Sequence, residues 1–346
     1  MTTHNPELES IARQLVAPGK GILAADESSG TIKKRFDSIT LESTEENRRA
    51  YRDLLFTTPG VEQYLSGVIL YDETLRQKAG DGRPFAQVLA EHGILPGIKV
   101  DAGAKALAGT PGEKITEGLD GLRERCAEYR KLGARFTKWR AVIDIEEKNG
   151  IPSDLAIDAN AHALARYAAI AIEQDLVPIV EPEVLMDGGH SIETCFAVTE
   201  RTLRSVFAEL GRHRVALEAI LLKPNMVIPG KKHSKQASPQ EVAEATVHCF
   251  KRTVPAAVPG IVFLSGGQSE EEATANLDAM NRLGSLPWQL SFSYGRALQA
   301  SALAVWKGKG ANLAAAQRAF HHRAKLTSAA RDGRYEPKME KILVGS

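Results

Sequence analysis

The chain has 346 residues, 43% of them hydrophobic and 25% charged, with 44 basic residues against 43 acidic for a net charge of +1. Such a composition can bury a sizeable core and excludes a disordered chain, and balanced charge without a long basic stripe disfavours a nucleic-acid partner. No apolar run reaches the roughly 18 residues that span a bilayer, residues 1–10 lack a basic start followed by an apolar core, and Cys126, Cys195 and Cys249 are an odd set without C-x-x-C spacing, which together predict a cytoplasmic protein in a reducing compartment with no membrane partner.

Apolar, partly β-branched runs predict strands at 22–26, 68–72, 94–101, 134–143, 177–185, 217–225, 261–266 and 288–294. Between them, apolar positions at helical spacing predict helices that include 119–132, 154–174, 192–210 and 241–254. Ile220-Leu221-Leu222 and Ile261-Val262-Phe263-Leu264 are continuously apolar, as parallel strands covered on both faces must be. Eight strand-helix alternations without a break in composition favour one α/β domain over 1–346, a single closed (β/α)8 TIM barrel, over two doubly wound domains. Outside that count lie an N-terminal helical extension and a C-terminal tail from about residue 331.

Polar residues gather at the C-terminal ends of these strands: Asp26, Asp72, Lys99 and Asp101, Lys138 and Arg140, Glu181 and Glu183, Lys223, Ser265 and Arg296. In a barrel of this kind the active site lies at that end. Residues two apart on a strand share a face, so the three paired sets can each point into one mouth. An inward lysine is costly unless it is paired or used, because burial and neighbouring cations disfavour its charged form. Its free amine can then attack a ketone to form a Schiff base. Lys223, in Leu222-Lys223-Pro224-Asn225, is the best placed, but Lys99 and Lys138 remain alternatives, and each of the three could instead be an ion-paired strand-end lysine. Glu181 and Glu183 could shuttle protons or simply pair with those lysines.

Three stretches read as two anion sites. Ser265-Gly266-Gly267-Gln268-Ser269 and Ser293-Tyr294-Gly295-Arg296 follow the last two strands, where barrels often bind phosphate through glycine N–H groups, hydroxyls and a guanidinium. Asp26-Glu27-Ser28-Ser29-Gly30-Thr31, followed by Lys33, Lys34 and Arg35, could take a second phosphate. The plain alternatives are Gly-rich turns and an N-capped helix with a solvated basic face. None of the nine histidines falls in a ligand cluster at a strand end, and there is no P-loop or dinucleotide fingerprint. Neither a metal nor another cofactor is predicted.

These residues resemble the class I, Schiff-base fructose-bisphosphate aldolase family. The matching segments are Gly19-Lys20-Gly21-Ile22-Leu23-Ala24-Ala25-Asp26-Glu27-Ser28, Gly97-Ile98-Lys99-Val100-Asp101, Lys138-Trp139-Arg140, Val180-Glu181-Pro182-Glu183, Leu221-Leu222-Lys223-Pro224-Asn225-Met226, Phe263-Leu264-Ser265-Gly266-Gly267-Gln268-Ser269 and Ser293-Tyr294-Gly295-Arg296, in family order. The resemblance implies a metal-independent homotetramer that interconverts fructose 1,6-bisphosphate with dihydroxyacetone phosphate and glyceraldehyde 3-phosphate. It implies Lys223 as nucleophile, Glu181 as proton carrier for imine formation, Asp26 at the C4 hydroxyl, and Lys138 with Glu183 nearby to steady charge. Arg140, of the Lys-Trp-Arg segment, joins the substrate contacts. Ser265, Gly266, Gly267, Ser293, Gly295 and Arg296 would hold the ketone-half phosphate, Arg35 would also contact substrate, and Ser28, Thr31 and Lys99 would serve the aldehyde-half phosphate.

The chain departs from the family pattern twice. Lys99-Val100-Asp101-Ala102-Gly103 has Ala102 where the pattern has lysine, and the ending Leu343-Val344-Gly345-Ser346 lacks the terminal tyrosine of the animal members, so no role of such a tyrosine carries over. A transaldolase-like transferase on the same barrel and a binding protein without catalysis are the competing readings. Asp26, Lys138, Glu181 and Lys223 being present together argues against the second.

Overall fold

The computed structural model describes residues 5–342; the C-terminal segment 343–346 lies outside them. Ten strands form: β1 (Gly21–Ala25), β2 (Leu65–Leu70), β3 (Leu95–Lys99), β4 (Ala104–Ala106), β5 (Lys114–Thr116), β6 (Phe136–Ile143), β7 (Val177–Val184), β8 (Leu221–Leu222), β9 (Gly260–Phe263) and β10 (Gln289–Tyr294). Eight of them close a parallel barrel in the order β1-β2-β3-β6-β7-β8-β9-β10, which is the predicted (β/α)8 fold. Twelve α-helices accompany them: α1 (Pro6–Leu15), α2 (Ser29–Asp37), α3 (Glu45–Phe56), α4 (Asp72–Arg76), α5 (Phe85–Glu91), α6 (Leu122–Lys131), α7 (Asp154–Glu173), α8 (Ile192–Arg212), α9 (Pro239–Thr253), α10 (Glu270–Asn281), α11 (Arg296–Trp306) and α12 (Leu313–Arg331). Among the described residues no helix is long and apolar enough to cross a membrane.

The floor of the barrel is closed by α1. Its Leu8, Ile11, Ala12 and Leu15 fall at the i, i+3, i+4, i+7 spacing of one helix face, and they pack against Ile22, Ile69, Phe136, Ile179, Leu221 and Val262 from the strand interiors. Asn5 caps α1 by accepting from the Leu8 N–H, with Pro6 at its first position. Phe136 fills the barrel axis because β3 has no side chain at residue 97: a Cβ on Gly97 would stand 2.3 Å from the ring. The outward residues of the same strands face the helices, where Trp139 stacks on Tyr167 at 5.6 Å between ring centres.

Two local features differ from the expected strands. β8 has shrunk to Leu221–Leu222, because 217–219 forms a 3₁₀ turn and Pro224 has no N–H to donate. The ladder still passes through it, since the Lys223 N–H donates to the Val180 carbonyl (2.8 Å) and the Leu264 N–H to the Pro224 carbonyl (3.1 Å). The antiparallel hairpin of β4 and β5 was not anticipated. Its Ala104–Ala106 strand is exposed throughout, so no apolar run announces it.

Candidate active site

Along each strand the inward residues change character at nearly one level. Ile22 and Ala24 give way to Asp26 on β1, Phe136 to Lys138 and Arg140 on β6, Val177 and Ile179 to Glu181 and Glu183 on β7, and Leu221 to Lys223 after β8. Above this level opens a cavity of about 710 Å³, a size suited to a small ligand. Every residue that the family resemblance assigned a role lines it. Asp72 does not: β2 ends two residues before it, and Asp72 instead starts α4 and pairs with Arg76 at 3.1 Å.

Buried Lys138, Glu181 and Lys223, with partly buried Asp26, form a continuous chain on the cavity floor. Lys138 Nζ lies 2.6 Å from Asp26 Oδ2 and 3.2 Å from Glu181 Oε2, and Lys223 Nζ lies 3.3 Å from Glu181 Oε1. Amines and carboxylates alternate along the chain, which is what makes burying them together tolerable. The lysines are nevertheless unequal. Burial pulls both downward. For Lys138, between two carboxylates and with Asp101 nearby, attraction outweighs burial and its pKa rises. For Lys223, with Glu181 alone in contact and the Lys138 cation beside it, burial wins and its pKa falls. Burial also pushes Asp26 and Glu181 upward, but the surrounding cations, Lys138 foremost, hold both below the usual carboxylate range. The site therefore holds one amine whose pKa is lowered beside one whose pKa is raised, a distinction that spacing alone left open among the three lysines. Lys99 is paired with Asp101 at 3.2 Å, and Arg140 pairs with Glu183.

The rims differ in construction. On the β9–β10 side, Gly266 and Gly267 line the cavity with successive positive φ angles of 41° and 75°, a backbone conformation that glycine adopts without strain. Ser293 Oγ is buried and has no hydrogen-bond partner among the described residues, a polar atom left for a ligand. Arg35 reaches this rim from α2, its Nη2 lying 3.4 Å from where a Cβ on Gly295 would be. It is steered there by Glu27, whose Oε1 is 2.5 Å from Arg35 and whose Oε2 is 2.6 Å from buried Arg52. On the β1–α2 side, Ser28 and Thr31 hydrogen-bond each other at 3.2 Å near the surface, and Lys99 stands beyond them.

Some sequence expectations resolve into structure. Ser269 caps α10 in a reciprocal box with Glu272, and Gln268 accepts from Asn276 at 2.7 Å, so neither adds to the phosphate loop. Lys33 turns outward to Asp37 at 2.9 Å, leaving Lys34 and Arg35 on the cavity. Asn225 of the Lys-Pro-Asn motif accepts from the Val184 N–H at 3.1 Å and ties β7 to the loop after β8. Glu27, Asp187 and Lys231 were missed. Glu27 had one available signal, an acid beside a strand-end acid but on the opposite face. Among the described residues, one trio could hold a metal ion, His162, Glu209 and His213; it lies on α7 and α8 rather than at the mouth, and His162 Nδ1 is 3.0 Å from Glu209 Oε2.

A parallel eight-stranded barrel with lysines and carboxylates in contact inside a cavity at its C-terminal mouth has the architecture of a barrel enzyme. The model of the class I fructose-bisphosphate aldolase family matches residues 7–344. A Xanthomonas campestris protein named probable fructose-bisphosphate aldolase class 1 is 60% identical over 331 residues, covering 95% of this chain and 98% of its own. The cytosolic fructose-bisphosphate aldolase 4 of Arabidopsis thaliana is 58% identical over 331 residues, with coverage of 95% and 84%. The Plasmodium falciparum fructose-bisphosphate aldolase, solved with TRAP and a small-molecule inhibitor, is similar at a TM-score of 0.94 and 55% identity over 95% of each chain. The chain belongs to the class I fructose-bisphosphate aldolase family.

Proposed function

We infer that this chain catalyses the reversible cleavage of fructose 1,6-bisphosphate to dihydroxyacetone phosphate and glyceraldehyde 3-phosphate, with Lys223 as the imine-forming nucleophile. The observation that carries the reading is the Asp26–Lys138–Glu181–Lys223 chain, in which two lysines of one cavity are driven in opposite directions.

The neutral Lys223 amine attacks the C2 carbonyl of the open-chain sugar. Glu181, in contact with Lys223, relays the proton released by the adding amine to the carbinolamine oxygen, and a second proton, taken from solvent, lets that oxygen leave as water and yields a protonated imine. That cation draws the electrons of the C3–C4 bond into a C2–C3 enamine as the C4 hydroxyl loses its proton, so C4 departs as the aldehyde. Asp26 receives that proton. A carboxylate held so far below its usual range by Lys138 is a poor base, so Lys138 must turn toward the substrate oxygens as Asp26 takes up its task. Protonation of the enamine at C3 and hydrolysis of the imine release dihydroxyacetone phosphate and restore the amine. Ser265, Gly266, Gly267, Ser293, Gly295, Arg296 and Arg35 hold the ketone-half phosphate, and Ser28, Thr31 and Lys99 that of the aldehyde half, with Arg140 and Glu183 between them.

The family resemblance supports a homotetramer, and the relative named cytosolic supports a cytoplasmic location. Borohydride reduction with dihydroxyacetone phosphate in EDTA-containing buffer, followed by peptide mapping, tests the reading. Covalent label on Lys223 is the expected result. Label on Lys138 or Lys99 with Lys223 spared overturns the assignment, and efficient transfer to unphosphorylated acceptors without cleavage of the bisphosphate favours a transaldolase-like enzyme.

A further inference from the structure

The loops that follow β7 and β8 are locked together. The N–H groups of Gly230, Lys231 and Lys232 donate to the carbonyls of His190 (2.9 Å), Met186 (2.8 Å) and Gly188 (3.0 Å). The approach is so close that a Cβ on Gly230 would stand 2.2 Å from the Gly188 oxygen. Backbone fastened at three successive residues is a rigid mount, and Lys231 is the side chain it presents to the cavity. Its Nζ lies 2.3 Å from where a Cβ on Gly267 would be, so it rests against the glycine loop of the β9–β10 rim. Its nearest anion is Asp187, at 3.4 Å, with both side chains about half exposed. A pair of that length and exposure holds its partners weakly.

We propose that Lys231 is a further phosphate ligand, a cation that leaves Asp187 for the ketone-half phosphate cradled by Gly266 and Gly267. The proposal rests on the function inferred above and deepens it. A phosphate dianion at the glycine loop attracts the ammonium more strongly than one solvated carboxylate does. Asp187 has two opposed effects before substrate arrives: it parks the ammonium near its working position, and its own charge opposes an incoming phosphate. Lys231 and Asp187 thus act on affinity with opposite signs.

Steady-state kinetics of variants test this. Lys231→Gln should raise KM for both fructose 1,6-bisphosphate and fructose 1-phosphate, and the Kd of dihydroxyacetone phosphate, by about tenfold, since all three carry this phosphate and a charge-assisted contact is lost; the effect falls on KM rather than kcat. Lys232→Gln, the same charge change on the same mount but outside the cavity lining, should shift KM by less than about twofold. Asp187→Asn should lower KM, and the Asp187→Asn/Lys231→Gln pair should follow Lys231→Gln. Equal effects of the two lysine variants, a rise for the bisphosphate alone, or an unchanged KM in Lys231→Gln overturns the proposal while wild type still cleaves. A wild-type protein that neither cleaves nor is trapped by borohydride overturns the inferred function, and Lys231's role with it.

Discussion

At the floor of the barrel Phe136, Ile179 and Leu221 meet α1 in a dry apolar layer, whereas two residues further along the same strands Lys138, Glu181 and Lys223 meet one another. Backbone geometry and burial are alike at the two levels. The difference lies in what the buried groups gain. The floor gains from removal of apolar surface, which is insensitive to direction. The mouth gains from each charge facing an opposite one, and its pKa shifts follow from how many such partners each group has. One end therefore carries stability and the other chemistry.

The largest expected effect comes from removing the reacting amine. Lys223→Met should lower cleavage by about 10³-fold or more, as loss of a covalent nucleophile does. The thermal midpoint should move little, because an unbranched apolar side chain replaces a group whose charged form burial already disfavours. Retained cleavage, or unfolding of the variant, breaks the division between the two ends. The converse change lies at the floor. Phe136→Ala should cost about 3–5 kcal/mol of stability in chemical denaturation, with kcat of the folded enzyme within about threefold of wild type. A large fall in kcat would show that the floor reaches the chemistry.

How much of this was legible in the residues depends on locality. Alternation along 134–143 and 177–185 placed Lys138, Arg140, Glu181 and Glu183 on one inner face, since a strand has a fixed period of two. The same reasoning failed at Asp72, because β2 ends at Leu70 and the period no longer applies. It also passed over Lys231, which lies in no strand and is positioned by a ladder between two loops. The choice among Lys99, Lys138 and Lys223 could not be made from spacing at all. A pKa depends on which carboxylates surround each amine across different strands, and only the closed barrel brings Asp26 beside Lys138 and leaves Lys223 to Glu181.

That electrostatic contrast can be probed by pH. Asp26 and Glu181 have folded pKa values below their unfolded ones. Their contribution to stability is therefore present above roughly pH 4, the ordinary carboxylate range, and fades as pH falls from there toward the folded values. Asp26→Asn removes the Asp26 share. The difference in thermal midpoint between wild type and variant should be visible near pH 7 and shrink progressively below about pH 4. A difference that stays constant down to acid would mean that Asp26 stabilises by shape rather than charge.

The smallest effects should separate the two phosphate rims within the mouth. The β9–β10 rim has a buried hydroxyl at Ser293 without a partner among the described residues and two successive glycines at positive φ, whereas Thr31 and Ser28 on the other rim satisfy each other near solvent. Arg296→Ala deletes a charged donor and should raise KM by about tenfold for both fructose 1,6-bisphosphate and fructose 1-phosphate, which share the ketone-half phosphate. Thr31→Val deletes one neutral, exposed hydroxyl at the end that only the bisphosphate fills. It should raise KM for the bisphosphate by about threefold and leave that for fructose 1-phosphate unchanged. If Thr31→Val weakens both substrates equally, the aldehyde-half phosphate is not bound on the β1–α2 side, and the assignment of the two rims has to be reversed or abandoned.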